Sequence, residues 1–314
     1  MFFYLIYGLI WTIAWLPLGA LYVLSDLIFP VVYHLIRYRR KVVRKNLTRA
    51  FPDYSQVEII NIEKRFYHFF CDLWMEIIRQ LHAPVEEMSK RMTVENPELL
   101  YHHAAEGKSI MLMLGHYCNW EWISVFGLQL PPGLLPYPVY QKLKNKHYDK
   151  MMIQLRSRFG AVSVERNSLI RKMVEMKQSA ETGIYVMISD QSPKARNIRH
   201  RMQFLNQETP VFLGTEQLAK KYQFPVYYLD IQRVKRGHYH AKVKSIAVDP
   251  LATQEYEITE TFMRLLEESI VAHPEFWLWS HNRWKHAGKR NEERRIVREV
   301  RIWKDFVELR ENSV

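Results

Sequence analysis

The sequence predicts an α/β protein with a mixed, largely parallel central sheet flanked by helices and a membrane-attaching apolar helix at its N-terminus. Three observations lead to this fold class. Short apolar runs alternate with segments of helical periodicity along most of the chain, which is typical of a parallel sheet covered by helices. The runs Ser109–Leu114 and Ile184–Ser189 are apolar at nearly every position, as strands buried on both faces are. Residues 1–36 contain one acidic residue, Asp26, and no Lys or Arg.

The apolar N-terminal stretch is longer than the roughly 20 residues that a membrane-spanning helix needs. We expect a membrane helix from about Phe2 to Leu24, followed by a second apolar segment that dips into the bilayer or lies at its interface. A core helix of a soluble domain is the competing interpretation. A secretory signal peptide is disfavoured, because no basic residue precedes the apolar region and no small-x-small cleavage site is clear.

A run of basic residues follows the apolar stretch directly. Its members are Arg37, Arg39, Arg40, Lys41, Arg44 and Lys45. Such a run marks the cytoplasmic side of a span and lies where anionic headgroups would be. A nucleic-acid-binding arm can have the same composition, but its position after an apolar segment favours the membrane. We therefore predict residues 1–36 as a membrane-spanning or interfacial segment and residues 37–314 as one domain with a charged C-terminal tail.

The composition limits the classes of partner. The chain has 314 residues, 48% of them hydrophobic, and a formal net charge of +12. This balance favours an anionic partner, which can be nucleic acid, an anionic membrane surface or an acidic protein. Two cysteines do not make a disulfide framework. Because the sequence has no CxxC, GxGxxG or GxxxxGK[ST] motif, we expect neither a metal nor another cofactor.

Periodicity and turn residues predict the remaining elements in order. The expected helices cover residues 57–81, 97–105, 146–159, 169–178, 215–222 and 255–272, with a peripheral helix in the charged tail 288–314. The expected strands cover residues 109–114, 135–141, 162–164, 184–189, 224–232 and 239–248.

His116 and Glu121 carry the predicted chemistry. His116 follows a buried strand and a glycine, and Glu121 lies five residues later, in the expected first turn of a helix. The carboxylate is expected to reach back to one imidazole nitrogen and fix the tautomer, as the base and orienter of a catalytic triad do. The spacing alone is a weak pattern in a chain with 13 His, and taken alone it favours a structural histidine. The location after a buried strand favours function, because α/β sheets bind ligands at the carboxyl ends of strands.

Six sequence blocks surround and follow this pair in a fixed order. They are GHYCNWEW, PVYQKLKNKHYD, RSRFGAVSVERN, VMISDQSP, FLNQETPVFLGTEQLAKKYQFPVYYLDI and HPEFWLWSHNRWKH. Together with the apolar N-terminus and its basic flank, they resemble the bacterial late lipid A acyltransferases, within the wider glycerolipid acyltransferase superfamily. The resemblance spans most of the chain, and the ordered blocks are far more specific than the H-x4-E pattern.

The resemblance implies transfer of an acyl chain from a thioester, on acyl carrier protein or acyl-CoA, to a hydroxyl of a lipid A precursor. The catalytic domain would lie on the cytoplasmic side of the bacterial inner membrane, with an anionic lipid acceptor and no nucleic acid as partner. His116 would be the general base and Glu121 its orienter. The other matching positions are expected at the substrate: Arg166 and Arg283 on lipid phosphates, and Asp190 and Gln191 after the second buried strand.

Other interpretations stay open at this point. Arg166 can be a surface charge, Asp190 a loop cap, and the segment around Arg283 an aromatic core strand. Many family members have Tyr-Arg-Pro where this chain has Tyr140, Gln141 and Lys142, so any role of that arginine is in doubt here. The acceptor can be a lysophospholipid or an aminolipid. Two other classes also fit: a lipid hydrolase, and a membrane-anchored module that binds anionic lipid or nucleic acid.

Overall fold

A computed structural model of the chain describes residues 2–287. The peripheral helix expected within residues 288–314 lies outside the described residues. Ten α-helices occur in the described part: α1 Phe2–Ile13, α2 Leu18–Pro30, α3 Arg40–Ala50, α4 Gln56–Arg79, α5 Val85–Arg91, α6 Glu98–Ala105, α7 Lys146–Ser157, α8 Leu169–Gln178, α9 Gly214–Tyr222 and α10 Glu257–Ala272. The aromatic stretch Trp120–Gln129 forms a 3₁₀ helix.

A seven-stranded sheet lies at the centre of the fold. Its strands are β1 Met92–Glu95, β2 Ile110–Leu114, β3 Leu135–Tyr140, β4 Val164–Glu165, β5 Gly183–Ile188, β8 Val226–Lys235 and β9 His238–Ala247, and a separate hairpin contains β6 Arg201–Phe204 and β7 Gln207–Pro210. The order in the sheet is β1-β9-β8-β2-β5-β3-β4. Every neighbouring pair is parallel except the antiparallel β8 and β9. The predicted mixed, largely parallel sheet is confirmed.

The two fully apolar strands, β2 and β5, are neighbours in the middle of this sheet. All five residues of β2 are buried, which explains why its sequence does not alternate. The parallel register aligns Leu114 with Ile188, the last residues of the two strands. His116 and Asp190 each follow two residues later. Two residues from separate sequence blocks therefore meet at the carboxyl edge of the sheet.

The N-terminal region differs from the single helix expected over Phe2 to Leu24. It is interrupted between α1 and α2, where Pro17 adopts an extended backbone (φ −62°, ψ 152°). Helix α2 continues into a π-helical turn, so the helix that is long and apolar enough to cross a membrane is Leu18–Ile36. Its mean hydropathy is 1.6, and only 17% of it is buried. Length and composition alone are weak support for a membrane span, because a soluble core helix or a signal sequence can meet the same criteria.

Helix α4 connects the apolar N-terminal region to the sheet. It begins with a capping box in which Ser55 accepts a hydrogen bond from the Glu58 amide. Its Asp72 side chain accepts hydrogen bonds from Ser25 of α2 and from Arg233 of β8. One turn later, the buried Glu76 carboxylate accepts hydrogen bonds from tyrosines of α2 and β9. The apolar segment is thus joined to the sheet by buried polar contacts as well as by packing.

Candidate active site

The side chains of His116 and Asp190 form the centre of the site. His116 Nδ1 lies 2.6 Å from Asp190 Oδ1, and the His116 backbone N–H donates to Asp190 Oδ2 at 3.0 Å. Trp277 Nε1 also donates to Oδ2, at 2.8 Å. Asp190 is 1% exposed. Burial alone would raise the pKa of this carboxyl, but the charge and hydrogen bonds of His116, together with the Trp277 hydrogen bond, lower it to about 2.

This arrangement fixes the tautomer of His116. An ionised carboxylate only accepts hydrogen bonds, so Nδ1 must carry the proton that it donates to Asp190. Nε2 is then the basic nitrogen of the neutral ring. Trp120 packs edge-on against the imidazole, with the ring centroids 5.0 Å apart. The histidine is therefore held by its backbone, by one ring nitrogen and by an aromatic neighbour.

Glu121 does not make the predicted hydrogen bond to His116. Both of its oxygens accept from Arg156 of α7, at 2.7 and 2.8 Å, in a bidentate pair. Burial would raise the pKa of Glu121, but the charges of Arg156 and His116 outweigh this effect and lower it. The prediction is wrong for a geometric reason. The parallel register of β2 and β5 brings Asp190 to Nδ1, whereas Glu121 lies in a 3₁₀ helix that directs its side chain towards α7.

Hydrogen bonds to Glu76 of α4 hold the segment that contains Glu121. Asn119 accepts the Trp122 N–H at the start of the 3₁₀ helix, and its Nδ2 donates to Glu76 at 2.8 Å. Trp122 Nε1 donates to the Glu76 backbone carbonyl at 3.1 Å. Cys118 is fully buried, and burial raises the pKa of its thiol well above the ordinary value. This protonated, inaccessible thiol packs in the core and is not placed to act as a nucleophile.

A cavity of about 810 Å³ opens beside His116. The polar side chains of its lining include His116, Glu121, Gln191 and His281. Apolar side chains form much of the remaining wall: Trp74, Trp120, Ile123, Pro136, Pro138, Val139, Leu143, Met152, Leu169, Ile170, Val186, Ile188, Phe212 and Leu218. Such a lining suits a ligand with a long apolar chain and a polar reacting end.

The other predicted site residues lie in different environments. Gln191 lines the cavity, and its Nε2 lies 3.1 Å from His116 Nε2. Arg166 also lines the cavity and is exposed, in a short 3₁₀ turn after β4. Arg283 is 0% exposed and is not among the lining residues. Its three side-chain nitrogens have no hydrogen-bond partner in the described part of the chain. Its position therefore gives no support to the expected phosphate contact.

Two residues that the sequence did not single out also contribute to the site. Arg156 holds Glu121 in the cavity wall. His281 Nε2 accepts a hydrogen bond from the Ser192 backbone N–H at 3.4 Å. Burial lowers the pKa of His281 to about 4, so its ring is neutral near pH 7. No spacing in the sequence pairs Glu121 with Arg156. In residues 2–287 no group of three or more His, Cys, Asp or Glu side chains is placed to hold a metal ion.

A partly buried histidine at the carboxyl edge of the sheet, with a mainly apolar cavity beside it, defines the candidate active site. Comparison with known proteins identifies the class. The family model for bacterial lipid A biosynthesis acyltransferases matches residues 1–286, so the chain belongs to this family of acyltransferases.

The relatives are distant in sequence but similar in length. The lipid A biosynthesis lauroyltransferase of Escherichia coli K12 is 23% identical over 286 residues, which cover 87% of this chain and 91% of the relative. The lipid A biosynthesis palmitoleoyltransferase of the same strain is 23% identical over 284 residues, or 88% and 89% of the two chains. A lipid A biosynthesis acyltransferase of Shigella flexneri matches equally well.

Proposed function

We propose that the protein transfers a fatty acyl chain from an acyl thioester, carried by acyl carrier protein, to a hydroxyl of a lipid A precursor. The observation that carries this proposal is the His116–Asp190 pair beside the mainly apolar cavity. It provides a positioned base next to space for an acyl chain. The family supports acyl transfer, and the names of the relatives suggest the lipid A acceptor.

The proposed mechanism uses the tautomer that Asp190 fixes. His116 Nε2 takes the proton of the acceptor hydroxyl while the hydroxyl oxygen attacks the thioester carbonyl carbon. The carbonyl electrons move to its oxygen and then return, breaking the carbon–sulfur bond. The leaving thiolate takes the proton back from the His116 imidazolium. No protein nucleophile is required, because the acceptor supplies its own oxygen.

Glu121 has a different proposed role from the one the sequence suggested. With Arg156 on both oxygens, it is not available as the orienter of the ring. The pKa of Glu121 is lowered mainly by Arg156, with a smaller contribution from the charge of His116, so the carboxylate and the ring interact electrostatically. We assign orientation to Asp190, and to Glu121 the electrostatic stabilisation of the imidazolium that forms during transfer.

The acceptor phosphate is proposed to bind at Arg166. This guanidinium is exposed, lines the cavity and makes no ion pair within residues 2–287. Lys194 and Lys285 also line the cavity and are exposed. Three cations at the rim would attract an anionic headgroup and leave the apolar wall for the acyl chain.

The protein is proposed to act at the cytoplasmic face of the bacterial inner membrane. Helix Leu18–Ile36 supplies the apolar attachment, and the basic run that follows it favours the cytoplasmic side. Trp74 of α4 is 48% exposed and lines the cavity, on the helix against which α2 packs. Helix α4 therefore contributes both to the cavity lining and to the packing of the apolar segment, which suits a lipid that enters from the bilayer.

The test is a transfer assay with the purified full-length protein. Acyl carrier protein and coenzyme A thioesters are offered with a lipid A precursor, a lysophospholipid and an aminolipid as acceptors. His116→Ala should lower transfer by about 10²–10⁴-fold, whereas the exposed His102→Ala should not change it. Normal transfer by folded His116→Ala would refute the mechanism. Preference for another acceptor would refute the lipid A assignment, and full activity of a soluble protein lacking residues 1–36 would refute the membrane claim.

A further inference from the structure

The basic nitrogen of His116 is covered by a side chain of the same loop that orients the ring. Gln191 Nε2 lies 3.1 Å from His116 Nε2. Because Asp190 fixes the proton on Nδ1, Nε2 has a free lone pair, and the Gln191 amide N–H donates to it. We call this contact the Gln191 cap. A substrate hydroxyl can give its proton to Nε2 only after the Gln191 cap has moved away.

The two residues that flank Gln191 are anchored, so the Gln191 side chain is the part of this segment that can move. Asp190 is held by its contacts with His116 and Trp277. The Ser192 backbone N–H donates to His281, and Ser192 itself is buried. Gln191 lies between these two anchored residues, is partly exposed and lines the cavity. In residues 2–287 its side chain makes one hydrogen bond, the one to the base.

Water competes with the acceptor hydroxyl for His116 Nε2, and the Gln191 cap limits this competition. The cavity of about 810 Å³ has room for many water molecules, and the His116 side chain is 19% exposed. A water bound at Nε2 could give up a proton and attack the thioester. The carbon–oxygen bond would form, the carbon–sulfur bond would break, and the thiolate would recover the proton from His116. The products would be a free fatty acid and a thiol, with no acylated lipid.

We propose that Gln191 determines specificity for a lipid hydroxyl over water by keeping the base nitrogen covered until the acceptor binds. This inference rests on the proposed acyl transfer. The cap is a single neutral hydrogen bond, which is weak in net terms. A hydroxyl that the rest of the lipid holds in position can displace it. A free water has no such support and competes less well.

The test compares two activities of the same full-length protein. Thioester hydrolysis is measured without acceptor, and lipid acylation is measured with it, for wild type, Gln191→Ala and Gln191→Asn. Asn keeps the amide but is one methylene too short to reach Nε2. Both variants should raise the ratio of hydrolysis to transfer by about threefold to tenfold, as expected for loss of one net hydrogen bond. The second substitution His116→Ala should abolish the gained hydrolysis.

The matched control is Asn197→Ala, another amide of the cavity lining, which makes no hydrogen bond to His116 within residues 2–287. It should leave the ratio unchanged. A ratio within twofold of wild type in the Gln191 variants would overturn the proposal, and so would an equal fall in both activities, since that is the result of a substrate-binding or structural role. If wild type acylates no lipid, the proposed function fails, and the hydrolysis rates alone then test the Gln191 cap.

Discussion

Replacing Asp190 by Asn should disable the site while changing almost no atoms. Asp190 accepts three hydrogen bonds, two of them on Oδ2 from the His116 backbone and from Trp277. If the Asn oxygen faces Nδ1, its NH₂ group faces the two N–H donors that Oδ2 accepts from in wild type, and neither donor then has an acceptor. The flipped amide satisfies those donors but presents an N–H to Nδ1. In that orientation the ring moves its proton to Nε2, and the base nitrogen is lost.

The size of the effect follows from the ionisation of Asp190. Its pKa of about 2, against an ordinary 3.8, corresponds to about 2 kcal/mol of stability from the ionised form. Because the folded-state pKa is the lower one, this stability is present above pH 4 and is lost as the pH falls towards 2. For catalysis, loss of the correct tautomer in a comparable triad costs about 10⁴-fold in kcat.

Two measurements check this prediction. Urea unfolding at pH 7 should show Asp190→Asn less stable than wild type by about 2 kcal/mol, and the gap should shrink in a series from pH 5 to pH 2. Acyl transfer at pH 7 should fall by at least about 10²-fold. A folded Asp190→Asn protein with transfer within threefold of wild type would show that Asp190 does not set the tautomer of the base.

Two further substitutions test the charges around the cavity. Arg156→Met leaves the buried Glu121 carboxylate without its bidentate partner, so unfolding in urea should require about 3 kcal/mol less; an unchanged midpoint would mean that the pair contributes no net stability. Arg283→Met removes a fully buried guanidinium whose pKa burial lowers to about 10, so the melting temperature should stay level or rise. A lower melting temperature would mean that the guanidinium has a stabilising partner. A fall in transfer to the phosphorylated acceptor at an unchanged melting temperature would mean that Arg283 acts on the lipid.

The elements that the sequence predicts best are those whose environment is uniform along the chain. The predicted ends of β2 and β5 lie within one residue of the observed ends, because a strand buried on both faces is apolar throughout. The short edge strand β1 and the hairpin of β6 and β7 were missed. Their four-residue segments have no apolar run, and β1 exists only because it pairs with β9, about 150 residues later in the chain (Met92 with Tyr239). Non-local pairing of this kind leaves no local pattern.

The candidate site shows the same limit. The sequence predicts both His116 and Asp190 as site residues but not their contact, because the five-residue spacing indicates Glu121 as the partner of His116. The register of β2 with β5 explains the contact between His116 and Asp190. The two parallel strands end side by side, and each of these residues lies two positions after the end of its strand. The Glu121–Arg156 pair had no such signal, since it depends on how α7 packs against the 3₁₀ helix.

The two carboxylates beside His116 have environments that suit different tasks. Asp190 is bound to both the ring and the backbone of the same histidine, so it fixes the direction in which Nε2 points. Glu121 is paired with Arg156 through both of its oxygens, and its proposed role is to stabilise the imidazolium. In the proposed mechanism, Asp190 orients the ring that accepts the proton, and Glu121, paired with a cation, stabilises the imidazolium that forms. We infer that the H-x4-E spacing serves electrostatics in this protein, and that orientation comes from the neighbouring strand.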